Sequence, residues 1–291
     1  MLKETIKSLD IKSNGIYVDL TFGGGGHSNE ILKCLGKNGK LIAFDQDTDS
    51  MRNEIKDDRF ILINQNFKFL TQNLIFYGHK YVDGILADLG VSSFQIDQIE
   101  RGFSLRSDAK LDMRMNKKQE ITAADVLNNY TEEELSSIFY EHSDIKNSRS
   151  IAKLIINNRI KSKINSSQKL NKILSPLVSR RYQNKILAKI YQAIRIEVND
   201  EIGVLKELLV QIPGVLKKNG KVTIITYHSV EDRLVKRYFQ NGCFDTEPVK
   251  DKFGNIEIPL KKCFKFKKPS KKEIKKNSRS RSAKLRCAIK L

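Results

Sequence analysis

Short apolar runs alternate with polar interruptions through the first hundred residues. Ile16 to Leu20 is one such run, and it ends in glycines. Asn29 to Leu35 has helical spacing and stops at Gly36, where a glycine suits a helix C-cap. Lys40–Asp45, Phe60–Ile63 and Val82–Asp88 are three further runs. None keeps a strict apolar–polar alternation, as expected for strands of a parallel sheet covered on both faces. Repeated βα units of this kind predict a doubly wound α/β fold.

The next strand-like run is Lys221–Tyr227, after a helical segment from Asp200 to Leu209 and a turn at Gly220. More than 130 residues separate it from the fourth run. A βαβ crossover needs far fewer. The pattern between is helical, and Thr131 with Glu134 has the spacing of a capping box. The expected organisation is a sheet domain of residues 1–101 and 186–291, interrupted by an inserted helical domain of residues 102–185. From about 261 the chain is basic with little apolar content, and it reads as a tail that orders on RNA.

Composition narrows the class. Hydrophobic residues make up 40%, enough for a core, and no stretch approaches the ~20 apolar residues of a membrane span. Met1 to Thr5 lacks the layout of a signal peptide, so a soluble cytoplasmic protein is expected. Cys34, Cys243, Cys263 and Cys287 form no Cys-x-x-Cys pair, and the four histidines are scattered, so no metal is expected. Charge is uneven. The net is +19, yet Lys261–Leu291 alone holds 14 Lys or Arg and one acidic residue, Glu273. Such a stretch suits a phosphate surface.

The chemistry begins at Thr21–Ser28. Four glycines, Gly23 to Gly26, let the backbone turn tightly and bring N–H groups to a ligand. Asp45 closes the second run 19 residues after Gly26, where a carboxylate can accept both hydroxyls of a ribose. A nucleoside-containing cofactor follows. Gly23-x-Gly25-x-x-Ser28 alone is a degraded dinucleotide fingerprint. Asp19 before the loop suits S-adenosyl-L-methionine better, because its charge repels a pyrophosphate. At the tip of the fourth run, Asp88 is placed to meet a methyl donor or acceptor; capping the next helix is its alternative role.

Eight segments then carry a resemblance: Asp19–Ser28, Asp83–Ser93, Glu100–Ser104, Leu111–Met115, Ala124–Asn128, Gln192–Glu201, Tyr227–Lys236 and Asn277–Arg286. In this order they resemble the ribosomal RNA small subunit methyltransferase H family, which methylates N4 of a cytidine in the decoding centre. The resemblance implies a Rossmann-like methyltransferase sheet with an inserted helical domain that helps hold RNA. It implies small-subunit ribosomal RNA, or the 30S particle, as partner. It also implies S-adenosyl-L-methionine contacts at Gly25, Gly26, His27, Asp45, Phe67, Asp88 and Gln95, with Phe67 packing on adenine. The chain departs from the family pattern in four places. It lacks the His-x-Pro-Val segment usual before Leu2, which reads as a start codon placed late. Phe94 stands where Pro is common. His-Pro-Ala is missing before Tyr191, and Tyr140–His142 lacks the usual Tyr-Gly-Glu.

Two candidates for catalysis follow, Asp88 and His228. Asp88, or a nearby backbone carbonyl, can accept an N–H of the cytosine amine and free the nitrogen lone pair. No strong base is needed before transfer. The target base has to leave its stack. His228 and Ser229 are candidates for holding base or phosphate, with a helix cap as the equal alternative. Asp112 and Arg114 read either as a substrate clamp or as an ion pair inside the insert. Two rival functions remain on sequence alone: a nicotinamide-dependent oxidoreductase, and a non-catalytic RNA-binding assembly factor.

Overall fold

The computed structural model describes residues 1–105, 108–177, 183–245, 247–248, 250, 252–254, 256 and 258–291. These form two compact units, Met1–Gly90 with Ile202–Leu291, and Val91–Glu201.

The first unit is built on a seven-stranded sheet. Its strands are β1 (Ile16–Asp19), β2 (Lys40–Phe44), β3 (Phe60–Ile63), β4 (Val82–Asp88), β5 (Leu216–Thr226), β6 (Leu260–Lys262) and β7 (Lys284–Lys290). The order is β3-β2-β1-β4-β5-β7-β6. The first five pair in parallel, while β7 runs antiparallel between β5 and β6. This is the Rossmann-like sheet expected. Chain order reverses between β1 and β4, the switch point where such sheets place ligands beyond the strand carboxyl ends.

Burial explains why the strands show no alternation. On β2, Leu41 and Ala43 join a core with Leu9, Ile31 and Leu32, from the helices α1 (Leu2–Leu9) and α2 (Gly26–Cys34). Ile42 and Phe44 join the opposite core with Leu70 and Leu74 of α3 (Leu70–Phe76). Both faces are covered, so Leu41 to Phe44 form a continuous apolar run. Gly84 of β4 is required by packing: a Cβ there would lie 2.6 Å from the buried Tyr17 ring.

The expected basic tail is a correction. Its last part is β7, paired with β5 from Lys221↔Ile289 to Thr226↔Lys284. Leu285, Arg286, Cys287 and Ala288 are all buried. The sequence hid this strand because lysines stand at both of its ends and Arg286 in its middle. Arg286 is neutralised by Asp232, whose Oδ1 accepts from Nε at 2.7 Å. Before it, Lys271–Lys276 forms a short helix whose N-cap is Ser270.

The second unit is helical: α4 (Ser93–Asp97), α5 (Ala123–Asn129), α6 (Glu132–Ser143), α7 (Ser148–Arg159), α8 (Ser167–Leu174) and α9 (Gln183–Asn199). It is wider at both ends than 102–185, because Leu187, Ile190 and Ile194 of α9 complete its core with Leu135, Phe139 and Ile151. Thr131 and Glu134 do form a capping box, each side chain accepting from the other's backbone N–H. Arg114 grips Asp112 with two hydrogen bonds, at 2.8 and 2.9 Å. Burial opposes the charge on Asp112, but Arg114 outweighs it and keeps the carboxyl below its ordinary range. Of the two readings for this pair, the structure displays the internal ion pair. Asn199 fastens the same loop, donating to the Met113 carbonyl and accepting from Met115 N–H.

Candidate active site

The glycine loop is set by Asp19. This carboxylate is fully buried at the end of β1 and accepts from Ser28 Oγ at 2.7 Å and Thr21 N–H at 3.1 Å. It therefore orients the loop from within. Burial pushes its carboxyl above the ordinary range, with His27 and these donors pulling the other way. Gly23 and Gly25 take φ values of 52° and 73°, which a side chain would strain. Gly25 is the N-cap of α2, so the loop delivers its N–H groups at a helix N-terminus.

Asp45 follows β2 on the neighbouring strand. Its Oδ2 accepts from Gly23 N–H at 2.8 Å and its Oδ1 from Asp47 N–H at 2.9 Å. Ser50 is a further donor to it, and a carboxylate with about four acceptor positions still has room for another. Burial pushes this carboxyl up to about 6. Phe67 opens a 3-10 turn after β3; its ring is half-buried against the core, and Asn66 caps the turn by accepting from Lys68 N–H.

Asp88 ends β4, and Thr21 ties that strand end to the loop by accepting the Asp88 N–H at 2.7 Å. The Tyr227 phenol donates to Asp88 Oδ1 at 2.9 Å. His27 Nδ1 lies 3.6 Å from Oδ2. Burial pushes the Asp88 carboxyl above its ordinary range, against the pull of His27 and Tyr227. Burial and Asp88 push the phenol pKa upward, so Tyr227 stays a donor. The sequence reading gave Tyr227 no role. The sequence shows only that it ends a strand-like run; that the carboxyl end of β5 lies beside that of β4 is seen in the structure.

The structure brings Gly25, Gly26, His27, Asp45 and Asp88 to the carboxyl ends of neighbouring strands. His228 sits differently. It is the N-cap of α10 (Ser229–Asn241), its Nδ1 accepting from Glu231 N–H at 3.4 Å. Its Nε2 lies 2.9 Å from Glu231 Oε1, off the line of a hydrogen bond. This is the helix cap that the sequence left open. Gln95 belongs to the second unit, where its buried side chain closes a capping box by accepting from Ser92 N–H.

All 291 residues match the MraW methylase family. The chain belongs to that family. Within it, a ribosomal RNA small subunit methyltransferase H from Christiangramia forsetii is 56% identical over 291 residues, covering the whole chain and 96% of the relative. The protein of that name from Flavobacterium psychrophilum is 54% identical over 290 residues and covered in full on both sides. That from Bacteroides fragilis is 48% identical, again over the whole chain and 96% of the relative. This family member is a methyltransferase, and its cofactor is S-adenosyl-L-methionine.

The residues present fit that cofactor. A Cβ added at Gly24 or Gly26 would meet no atom within 4 Å beyond the adjoining backbone, so the protein's own packing leaves space in front of the loop. Nε2 of His27 is buried and has no hydrogen-bond partner among the described residues. A buried polar atom beside open backbone suits a polar ligand. Among the described residues, no helix is long and apolar enough to cross a membrane.

Proposed function

We propose that this chain methylates N4 of a cytidine in the decoding centre of small-subunit ribosomal RNA. The relatives named above support the RNA class, and the family resemblance supplies the position on the base. The carrying observation is Asp88, a carboxylate with one oxygen held by Tyr227 at 2.9 Å, next to the glycine loop. Such an acceptor is what an exocyclic amine needs, since its lone pair is delocalised until an N–H is drawn away from the ring plane.

When bound, S-adenosyl-L-methionine supplies a methyl group already activated on sulfur. Gly25, Gly26 and His27 would hold the cofactor through the loop, Asp45 would accept from ribose hydroxyls, and Phe67 would pack on adenine. Gln95 belongs to the same family set, and in the second unit it serves as a capping residue. Asp88 accepts an N–H of the target amine and aligns it for attack. The proton leaves after transfer, when it has become acidic, so a weak base suffices. His228 holds the start of α10, next to Tyr227, and supports the site without proton transfer. The helical unit Val91–Glu201 is assigned to RNA recognition, with small-subunit particles in the cytoplasm as partner.

The test is incubation with isotopically labelled S-adenosyl-L-methionine and small-subunit RNA or particles. Label should move into RNA. Label found on a base other than cytosine, or small-subunit RNA left unlabelled while other RNA gains label, would overturn the proposed target.

A further inference from the structure

Two of the four cysteines meet across the antiparallel edge of the sheet. Cys263 follows β6 directly and stands opposite Cys287 of β7, one step beyond the pair Lys262↔Ala288. The Cys263 N–H donates to the Cys287 carbonyl at 2.9 Å, so the ladder continues through this pair. The two sulfurs are 3.5 Å apart. Facing residues in such a ladder have Cα atoms about 4.5–5.5 Å apart, inside the span that a disulfide bridges. Closing to a bond length of about 2.05 Å needs only a side-chain adjustment.

The two thiols differ in access. Cys263 is exposed and Cys287 is buried. Lys261, Lys262 and Lys265 are exposed and flank the outer thiol in sequence, and the charge of Lys221 acts on it across the sheet. A hydrogen bond from Cys287 lowers the Cys263 thiol to about 7, helped by Lys221 and opposed by burial. The same hydrogen bond, with burial, pushes Cys287 upward. A thiolate outside and a protonated thiol inside is the arrangement of an attacking and a resolving cysteine.

We infer that Cys263 and Cys287 are a dithiol site for reversible oxidation by anionic low-molecular-weight disulfides, with Cys263 attacking first and Cys287 resolving. The Cys263 thiolate attacks one sulfur of the small disulfide, forming a mixed disulfide and expelling one thiolate. The Cys287 sulfur then attacks Cys263 Sγ, expelling the second thiolate and losing its proton. The protein pair gives up two electrons and two protons, and the small disulfide becomes two thiols. The bond would lock the end of β6 to β7, where the lysine-rich stretch begins.

Oxidised glutathione is the probe, applied to the full chain, followed by alkylation, trypsin and peptide mass analysis. Wild type should give a Cys263–Cys287 linked peptide, lighter by two hydrogens, and no glutathione on Cys263. Cys287→Ser, with Cys287→Ala as second variant against misfolding, should leave a stable glutathione adduct on Cys263. Cys263→Ser should leave Cys287 unmodified. Exposed Cys34 is the internal control and should gain an adduct more slowly than Cys263. The inference is overturned by an unreacted Cys263 in wild type, by a persistent adduct there without the link, or by Cys34 reacting as fast.

Discussion

The phenol of Tyr227 donates to Oδ1 of Asp88 at 2.9 Å, joining residues 139 apart in the chain. The bond fixes one carboxylate oxygen and leaves the other towards His27. A hydrogen bond to a charged group is worth about 1.5–3 kcal/mol. Tyr227→Phe should therefore lower transfer by roughly 10- to 100-fold. Without the donor, the Asp88 carboxyl rises further, so the acid limb of the pH–rate profile should move to higher pH. A profile that only scales down, with no displacement, would assign Tyr227 to packing.

Asp88→Asn should fold and lose transfer. The stability sign is specific. Burial raises the carboxyl in the folded state, so the folded protein binds the proton more tightly than the unfolded chain. Wild type accordingly loses stability as pH rises from the unfolded carboxyl range through the folded one. Asn carries no such charge and escapes the loss. Melting curves should show the variant at least as stable as wild type at neutral pH, with the advantage fading in acid. Retained activity would reduce Asp88 to a structural group.

Asp45 gives a second pH prediction, for binding. Its carboxyl is pushed up to about 6 and should accept ribose hydroxyls as the anion. Affinity for S-adenosyl-L-methionine should fall as pH drops through that value. Asp45→Asn should bind more weakly at pH 7.5, by about 1.5–3 kcal/mol for each charged hydrogen bond removed, and show little pH dependence. Calorimetry across this window checks both statements. Equal binding by the two proteins would remove Asp45 from the ribose.

Two glycines should answer the same substitution in opposite ways. At Gly26 an added Cβ meets no atom within 4 Å beyond the adjoining backbone, and Ala favours a helix over Gly. Gly26→Ala should keep its melting temperature and lose cofactor affinity. At Gly84 the Cβ would lie 2.6 Å from Tyr17, so Gly84→Ala should cost about 1–3 kcal/mol by overpacking. Melting and calorimetry on both variants separate room kept for a ligand from room needed by a ring.

The lysine-rich stretch calls for charge removal, since it leads into β7 and a deletion would break the sheet. Lys268, Lys271, Lys272, Lys275 and Lys276 are all exposed. Changing all five to Gln should flatten the dependence of log RNA affinity on log salt by about 0.7–0.9 for each phosphate no longer neutralised. Affinity for S-adenosyl-L-methionine should stay unchanged. A full salt slope in the variant would place the phosphate-binding surface elsewhere.

Some of this was legible in the sequence because the signal is local. The glycine loop, Asp19 and Asp45 lie within 27 residues, and both faces of the central strands are buried, which gives continuous apolar runs. The Asp88–Tyr227 bond was not legible, because chain order says nothing about two strand ends brought side by side across an inserted unit. Strand β7 was hidden for another reason. Its buried Arg286 reads as surface charge until Asp232 is found opposite, 54 residues away. Cys263 and Cys287 looked scattered for the same reason: 24 residues in sequence, 3.5 Å in the sheet.

In the proposed reaction a carboxylate at the tip of β4 directs a methyl group to an exocyclic amine. Mass analysis of nucleosides from small-subunit RNA treated with wild type and with Asp88→Asn tests it most directly. The account predicts N4-methylcytidine with wild type and none with the variant. Label on cytosine C5 or on a ribose hydroxyl, or N4-methylcytidine formed equally by the variant, would contradict it.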